Sequence, residues 1–347
     1  MYNMNWMQDK IRGCLIGGAA GDALGYSVEF MSYGQILSKY GPHGITRYDL
    51  ADGVAQISDD TQMTLYTANG LLIDDIQAAY LEWYRTQTGE YSPTADAKCW
   101  ISNLPALYSR RAPGCTCMSA LQNIKCGVPV CNNSKGCGGI MRVAPIGIYG
   151  ALHRWDLAKT ARMACDVARI THKHPLGWIS AGEFAVVIQS LLELGEESYK
   201  VCLEDPNNLG DMLASCSLAV MAYLKTDVDD SKIKDLYMDF ADGVSNALHL
   251  ADTDIKEADA IRQIGEGWTG EEAYYIAIYA MFKHLRNPEQ AIIAAVNHSG
   301  DSDSTGAVTG NLVGALHGYD ALPDHFKRNL ELHDVILKMA DDLYITQ

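Results

Sequence analysis

Gly300-Asp-Ser-Asp-Ser-Thr-Gly306-Ala-Val-Thr-Gly310-Asn-Leu-Val-Gly314-Ala-Leu-His-Gly318 is the stretch on which the reading of this chain turns. It holds two patterns end to end. Asp301 and Asp303 stand two apart among hydroxyls, a set of hard oxygen donors of the kind that Mg2+ or Mn2+ takes. The glycines at 306, 310, 314 and 318 then recur every four residues, along one ridge of a helix. Each glycine costs a helix about 1 kcal/mol relative to alanine, so the series implies that another helix must approach closely.

Each pattern has a counterpart upstream. Glycines at 13, 17, 21 and 25 repeat the four-residue spacing, and Ser58-Asp59-Asp60-Thr61 repeats the acid–hydroxyl mixture. Adjacent acids at a helix start serve as ordinary caps, and Gln62 three residues after Asp59 fits a capping-box variant. The pairing of two such loops changes the weighing. Gathered at one place their carboxylates would repel one another, and a pair of metal ions would relieve that cost. The expectation is that the two loops meet around a dinuclear site.

The remainder of the chain is helical in pattern. From Leu157 to Ile170 apolar residues fall on one helical face, and similar periodicity predicts helices over 59–73, 75–87, 95–109, 115–125, 140–151, 177–194, 209–225, 231–248, 256–264, 270–285, 288–296 and 327–345. Ile45 to Tyr48 and Ala55 to Ile57 are the sole strand candidates. No long linker, low-complexity tract or repeat of solenoid length breaks the 347 residues, so the expectation is one compact all-α domain over 1–347.

Composition excludes several classes. With 27 Lys+Arg against 43 Asp+Glu, the net charge of −16 disfavours nucleic-acid and anionic-membrane surfaces. The start, Met1-Tyr-Asn-Met-Asn-Trp, lacks the basic-then-apolar order of a signal peptide, and no apolar run reads as a membrane span. The ten cysteines are scattered, and the Cys115 to Cys137 group fits no standard zinc spacing. Reduced thiols in a cytoplasmic, monomeric protein are expected.

Three further segments carry candidate chemistry. Ser134-Lys135-Gly136-Cys137-Gly138-Gly139-Ile140-Met141-Arg142 is a glycine-rich turn before a helix, where close backbone and a helix N-terminus favour an anion. It is not a P-loop. His172 lies between two helices, where a histidine is more often a hydrogen-bonded structural residue than a general base. Glu29 follows Gly21-Asp22-Ala-Leu-Gly25 among apolar neighbours, so it is either a solvated loop acid or one of raised pKa near a substrate.

Taken in order, Gly13 to Gly25 with Glu29, Ser58-Asp-Asp-Thr-Gln-Met63, Arg111-Ala-Pro-Gly114, Gly136 to Pro145, Thr171-His172 and Gly300 to Gly306 resemble the ADP-ribosylglycohydrolase family. The family includes dinitrogenase-reductase-activating glycohydrolase and the ADP-ribosyl-arginine hydrolases. The resemblance implies an all-α orthogonal bundle with two Mg2+ or Mn2+ ions held by Ser58, Asp59, Asp60, Asp301, Asp303 and Ser304. It implies that Ser134, Lys135, Gly136, Cys137, Gly138, Gly139 and Met141 hold ADP-ribose, with His172 lining the pocket. Glu29 and Asp60 would be the catalytic acids, and ADP-ribosylated protein, arginine-linked first, or ADP-ribose the partner. Ser58 and Ser304 stand where threonine is frequent, and Cys137 where many members carry asparagine.

Other readings remain open at this level. Asp301-x-Asp303-x-Thr305 matches the acidic motif of haloacid-dehalogenase phosphoryl transferases, but there it ends an early strand of an α/β chain. A catalytically inactive ADP-ribose-binding or crystallin-like relative would keep the fold without the need for its acids. An immunity protein reversing a toxin's ADP-ribosylation would keep the activity and change its purpose.

Overall fold

The computed structural model describes residues 5–228 and 231–346. Two glycine helices, Trp6–Tyr26 and Ser302–His317, lie against each other at its centre. They run antiparallel in strict register: Gly13 faces Gly314, Gly17 faces Gly310, Gly21 faces Gly306 and Gly25 faces Ser302. A Cβ on Gly13 would lie 2.5 Å from the Gly314 carbonyl oxygen, and at Gly17, Gly21, Gly25, Gly306, Gly310 and Gly314 it would meet the opposing carbonyl more closely still. The two glycine series are therefore the two halves of one contact. Asn311 fixes the register further by donating from Nδ2 to the Cys14 carbonyl at 2.8 Å.

That contact sets the position of everything acidic. Antiparallel pairing brings the end of the first helix, with Asp22 and Glu29, to the start of the last, with Asp301 and Asp303. Around the pair, buried side chains from Ile11 to Leu343 form one connected core. The architecture is all-α, with seventeen α-helices among the described residues. Of the two strand candidates, Ile45 to Tyr48 forms no strand or bridge, and Ala55 to Ile57 contributes one isolated bridge, Ala55 with Leu330.

Most predicted helices are present with boundaries shifted by a few residues. The stretch expected as one helix over 95–109 is instead two 3-10 turns, Trp100–Asn103 and Pro105–Tyr108. Pro105 cannot continue the first turn. Glu82 also holds the segment from the side, accepting from Lys98 N at 2.8 Å and Cys99 N at 3.1 Å. Three helices escaped the periodicity, the short Asp324–Lys327 among them. Tyr33–Tyr40 is capped by a reciprocal Ser32–Gln35 box, a readable signal; Glu196–Glu204 buries only Cys202.

Pro175–Glu193 is long and apolar enough to cross a membrane, contrary to the expectation that no run reads as a span. It is apolar all round because other helices surround it, and 83% of its apolar window is buried. All ten cysteines are unpaired thiols.

Candidate active site

The cleft opens where the two glycine helices end. It encloses about 350 Å³, and Glu29, Asp59, Asp60, Asp301, Asp303 and Ser304 line it together with Gly136, Cys137, Gly138, Met141 and His172. The two acidic loops predicted to meet thus do meet. Each acts through a helix start. Ser58 caps Asp59–Leu72, its hydroxyl accepting from Asp60 N at 3.1 Å. Asp301 caps Ser302–His317 through Ser304 N at 3.3 Å. The Ser58 side chain also bonds Asp303, tying one loop to the other.

Asp22 braces this junction. It is fully buried, and it accepts from Ser58 N at 2.9 Å, from Thr61 N at 3.0 Å and from the Thr61 hydroxyl. The sequence reading placed Asp22 beside the site without a role. The structure makes it the clamp that holds the Ser58–Asp60 loop against the first helix. Burial, then the neighbouring Asp303 charge, pushes its carboxyl up to about 7.

The carboxylates crowd. One oxygen each from Glu29, Asp301 and Asp303 lies within 4.8 Å of the others. Glu29 is pushed up to about 10, first by burial and then by Asp303. Asp59, Asp60 and Asp301 all stand well above the ordinary carboxylate range for the same leading reason. No Lys or Arg is among the residues lining the cleft. Two buried oxygens, Asp60 Oδ2 and Glu29 Oε2, have no hydrogen-bond partner. Buried acceptors of this kind ordinarily find a donor. Their carboxylate-rich surroundings suit a hard cation, so the cluster could hold metal.

The glycine turn is held by neighbouring backbone and side chain. Cys137 N donates to the Trp268 carbonyl at 3.1 Å, and Gly136 N to the Ser134 hydroxyl at 3.3 Å. Those two amides are engaged within the protein. Three of the candidate ligand-binding residues do not line the cleft. Lys135 pairs with Glu271, Ser134 meets the Thr116 hydroxyl at 3.1 Å, and Gly139 is packed against the Gly177 carbonyl. Cys137 faces the acids instead, its thiol donating to Asp301 Oδ2 at 2.7 Å.

Sequence reasoning missed the aromatic rim. Phe30 and Trp268 stack with centroids 5.6 Å apart and planes at 21°, and both line the cleft. Phe30 is 70% exposed and holds a left-handed backbone with φ of 65°, an unusual state for a bulky residue. The one available signal was Glu266-Gly-Trp-Thr-Gly270, a glycine-flanked tryptophan just before a helix. The Ala112–Cys117 wall was also missed as a lining, although Arg111 to Gly114 had been singled out. Its Gly114 N donates to Asp59 Oδ2 at 3.2 Å.

Fold and site together define an all-helical protein with an acid-lined cleft able to hold a metal. The family model for ADP-ribosylglycohydrolase matches residues 4–347, and the chain belongs to that family of ADP-ribosyl hydrolases. It is 26% identical to the ADP-ribosyl-[dinitrogen reductase] glycohydrolase of Rhodospirillum rubrum, over 94% of this chain and 92% of that one. It is 22% identical to the ADP-ribosylhydrolase ARH3 of Gallus gallus, over 96% and 92% of the two chains. A solved structure described as an ADP-ribosylglycohydrolase-related protein complex shares the fold, with a TM-score of 0.58, 22% identity and 98% of each chain covered.

Proposed function

We propose that this chain removes mono-ADP-ribose from modified protein side chains, arginine first, by metal-dependent cleavage at C1 of the distal ribose. The observation that carries the reading is the convergence of five carboxylates from three separate segments on one cleft that the Gly136–Gly138 turn also lines. Asp59, Asp60, Asp301, Asp303 and the hydroxyls of Ser58 and Ser304 would hold two Mg2+ or Mn2+ ions. Such ions supply positive charge that orients a ribose diol and acidifies water.

The protein's own groups do the remainder. The transition state of glycosidic cleavage is oxocarbenium-like, and an acid-lined cleft without Lys or Arg stabilises that charge. Asp60 and Glu29, each with an unpartnered buried oxygen, are the acceptors available for a proton from water. Before cations enter, Glu29 is protonated at neutral pH. For an O-linked substrate Glu29 would be the acid that protonates the leaving oxygen while Asp60 takes the proton from water; a guanidinium leaves as neutral guanidine and needs no added proton. The reduced thiols support action in a reducing compartment, the cytoplasm.

The test is release of ADP-ribose from arginine-linked and serine-linked substrates with Mg2+, Mn2+ or chelator, in the wild type and in Asp303→Ala. The variant should lose at least about 100-fold in metal-dependent turnover while keeping its helical circular dichroism. Full activity in Asp303→Ala would sink the metal-centred reading. Release from serine alone would replace arginine as the substrate.

A further inference from the structure

His172 presents its Nε2 edge to the glycine turn. A Cβ at Gly136 would lie 3.6 Å from Nε2, and one at Gly138 would lie 3.3 Å from Nε2 and 2.9 Å from Cε1. Which of its two nitrogens carries the proton decides whether the cleft meets a donor or an acceptor there. The answer is built behind the ring, in residues that do not line the cleft.

Arg142 is fully buried. Its Nη2 donates to the Thr171 hydroxyl at 2.7 Å and to the Val167 carbonyl at 3.2 Å; its Nη1 meets Cys117 Sγ at 3.3 Å, and the guanidinium lies 4.6 Å from the Tyr80 ring centre. Thr171 Oγ1 in turn lies 2.9 Å from His172 Nδ1. A guanidinium can only donate, so the Thr171 oxygen is an acceptor toward Arg142 and its own proton must go elsewhere. The Ala168 carbonyl is 3.5 Å away, at the outer limit of a hydrogen bond. Cys117 Sγ is also within reach of this hydroxyl but is a weak acceptor, so His172 Nδ1, at 2.9 Å, is the better partner. An oxygen already accepting from a cation is also a polarised, stronger donor.

We propose that Arg142 is a positioning residue: through Thr171 it holds His172 as the neutral Nε2–H tautomer, so that the cleft presents a fixed donor to an anionic oxygen of the ligand. Burial first, then the Arg142 charge, pushes the imidazole down to about 3. The donor is therefore a neutral N–H over the whole physiological range. A hydrogen bond from it to a phosphoryl oxygen would orient the ligand without adding a cation beside the acidic cluster. The ligand arm of this inference rests on the ADP-ribose reading above; the tautomer does not.

The experiment is 15N NMR of histidine-labelled protein, with His172 assigned by His172→Gln. The wild type should show Nε2 protonated and Nδ1 bare, unchanged between about pH 5 and pH 8. Thr171→Val, which keeps the side-chain shape and removes the hydroxyl, should lose that preference. Its ADP-ribose affinity should weaken about tenfold, the weight of one hydrogen bond to a charged acceptor. Thr171→Ser should restore both readings. Arg142 fills much of its site and its removal can cost the fold, so the Thr171 pair carries the decision. A protonated Nδ1 in the wild type, or an unchanged tautomer in Thr171→Val, would overturn the proposal. The spectra are read without ligand. A wild type that binds no ADP-ribose would thus overturn the functional reading and leave the relay to be judged on its tautomer.

Discussion

Glu29 is the residue on which the chemistry is most exposed to test. It sits at the cleft mouth beside Phe30, with one oxygen unpartnered and its carboxyl raised to about 10 by burial and by Asp303. Glu29→Gln keeps the shape and removes the charge and the exchangeable proton. A positioned acid or base contributes about 10²–10⁴-fold, so turnover should fall by at least about 100-fold. ADP-ribose affinity, measured by calorimetry with metal present, should change by no more than about threefold, because the glycine turn and His172, rather than Glu29, are proposed to hold the ligand. Equal losses in both would make Glu29 a binding residue. Sequence alone could name Glu29 but not choose between a solvated loop acid and a buried one. That choice depends on Asp301 and Asp303, more than 270 residues away in the chain, and so on the helix contact that brings them together.

At the scale of elements, the pairing of the two glycine helices is what the site rests on. Alanine at Gly17 or Gly310 would drive a methyl into the facing backbone carbonyl, which cannot swing aside as a side chain can. Overpacking of this kind costs about 1–3 kcal/mol, and here it would also part the end of the first helix, with Asp22 and Glu29, from Asp301 and Asp303. Gly34 offers the control. It lies in Tyr33–Tyr40 with nothing within 4 Å of its would-be Cβ, so Gly34→Ala should be neutral or gain up to about 1 kcal/mol from helix propensity. Urea melts of the three variants should separate them clearly; equal stability of Gly17→Ala and Gly34→Ala would refute close approach as the reason for the series. These same elements show what was legible. Four-residue glycine spacing and acids at helix starts are local patterns, and both were readable. That the two series pair with each other, in which register, and that Asp22 therefore clamps Ser58, are long-range facts with no local signature. The failure at 95–109 has this origin in part: Glu82 holds the segment from outside it, whereas Pro105, inside it, was a local break that could be read.

For the whole molecule, the acidic cluster makes stability a function of both pH and metal. Asp22 at about 7, Glu29 at about 10 and Glu183 at about 7 all stand above the values they would have in an unfolded chain. The folded protein therefore binds more protons than the unfolded one between the two sets of values. Stability from these groups is fully present below about pH 4 and is lost as pH rises through 7 and beyond. Metal-free protein should accordingly melt lower at pH 8.5 than at pH 6, by at least about 2 °C. Within the cleft a bound cation would take over the work of those protons, since it too would neutralise the acids that hold it. Saturating Mg2+ or Mn2+, at about 100 times its Kd, should stabilise by about 2.7 kcal/mol, and more at pH 8.5, where the proton has left, than at pH 6. Glu183 supplies an internal contrast. It is buried far from the cleft, accepting from Ser217 at 2.6 Å and Tyr237 at 3.0 Å, and no cation would reach it. Glu183→Gln should therefore remove part of the pH slope in chelator and leave the metal-induced rise in Tm unchanged. A metal-free melt that climbs with pH over this range would mean that the acids are ionised and satisfied without a cation, and the cleft would lose its standing as a metal centre.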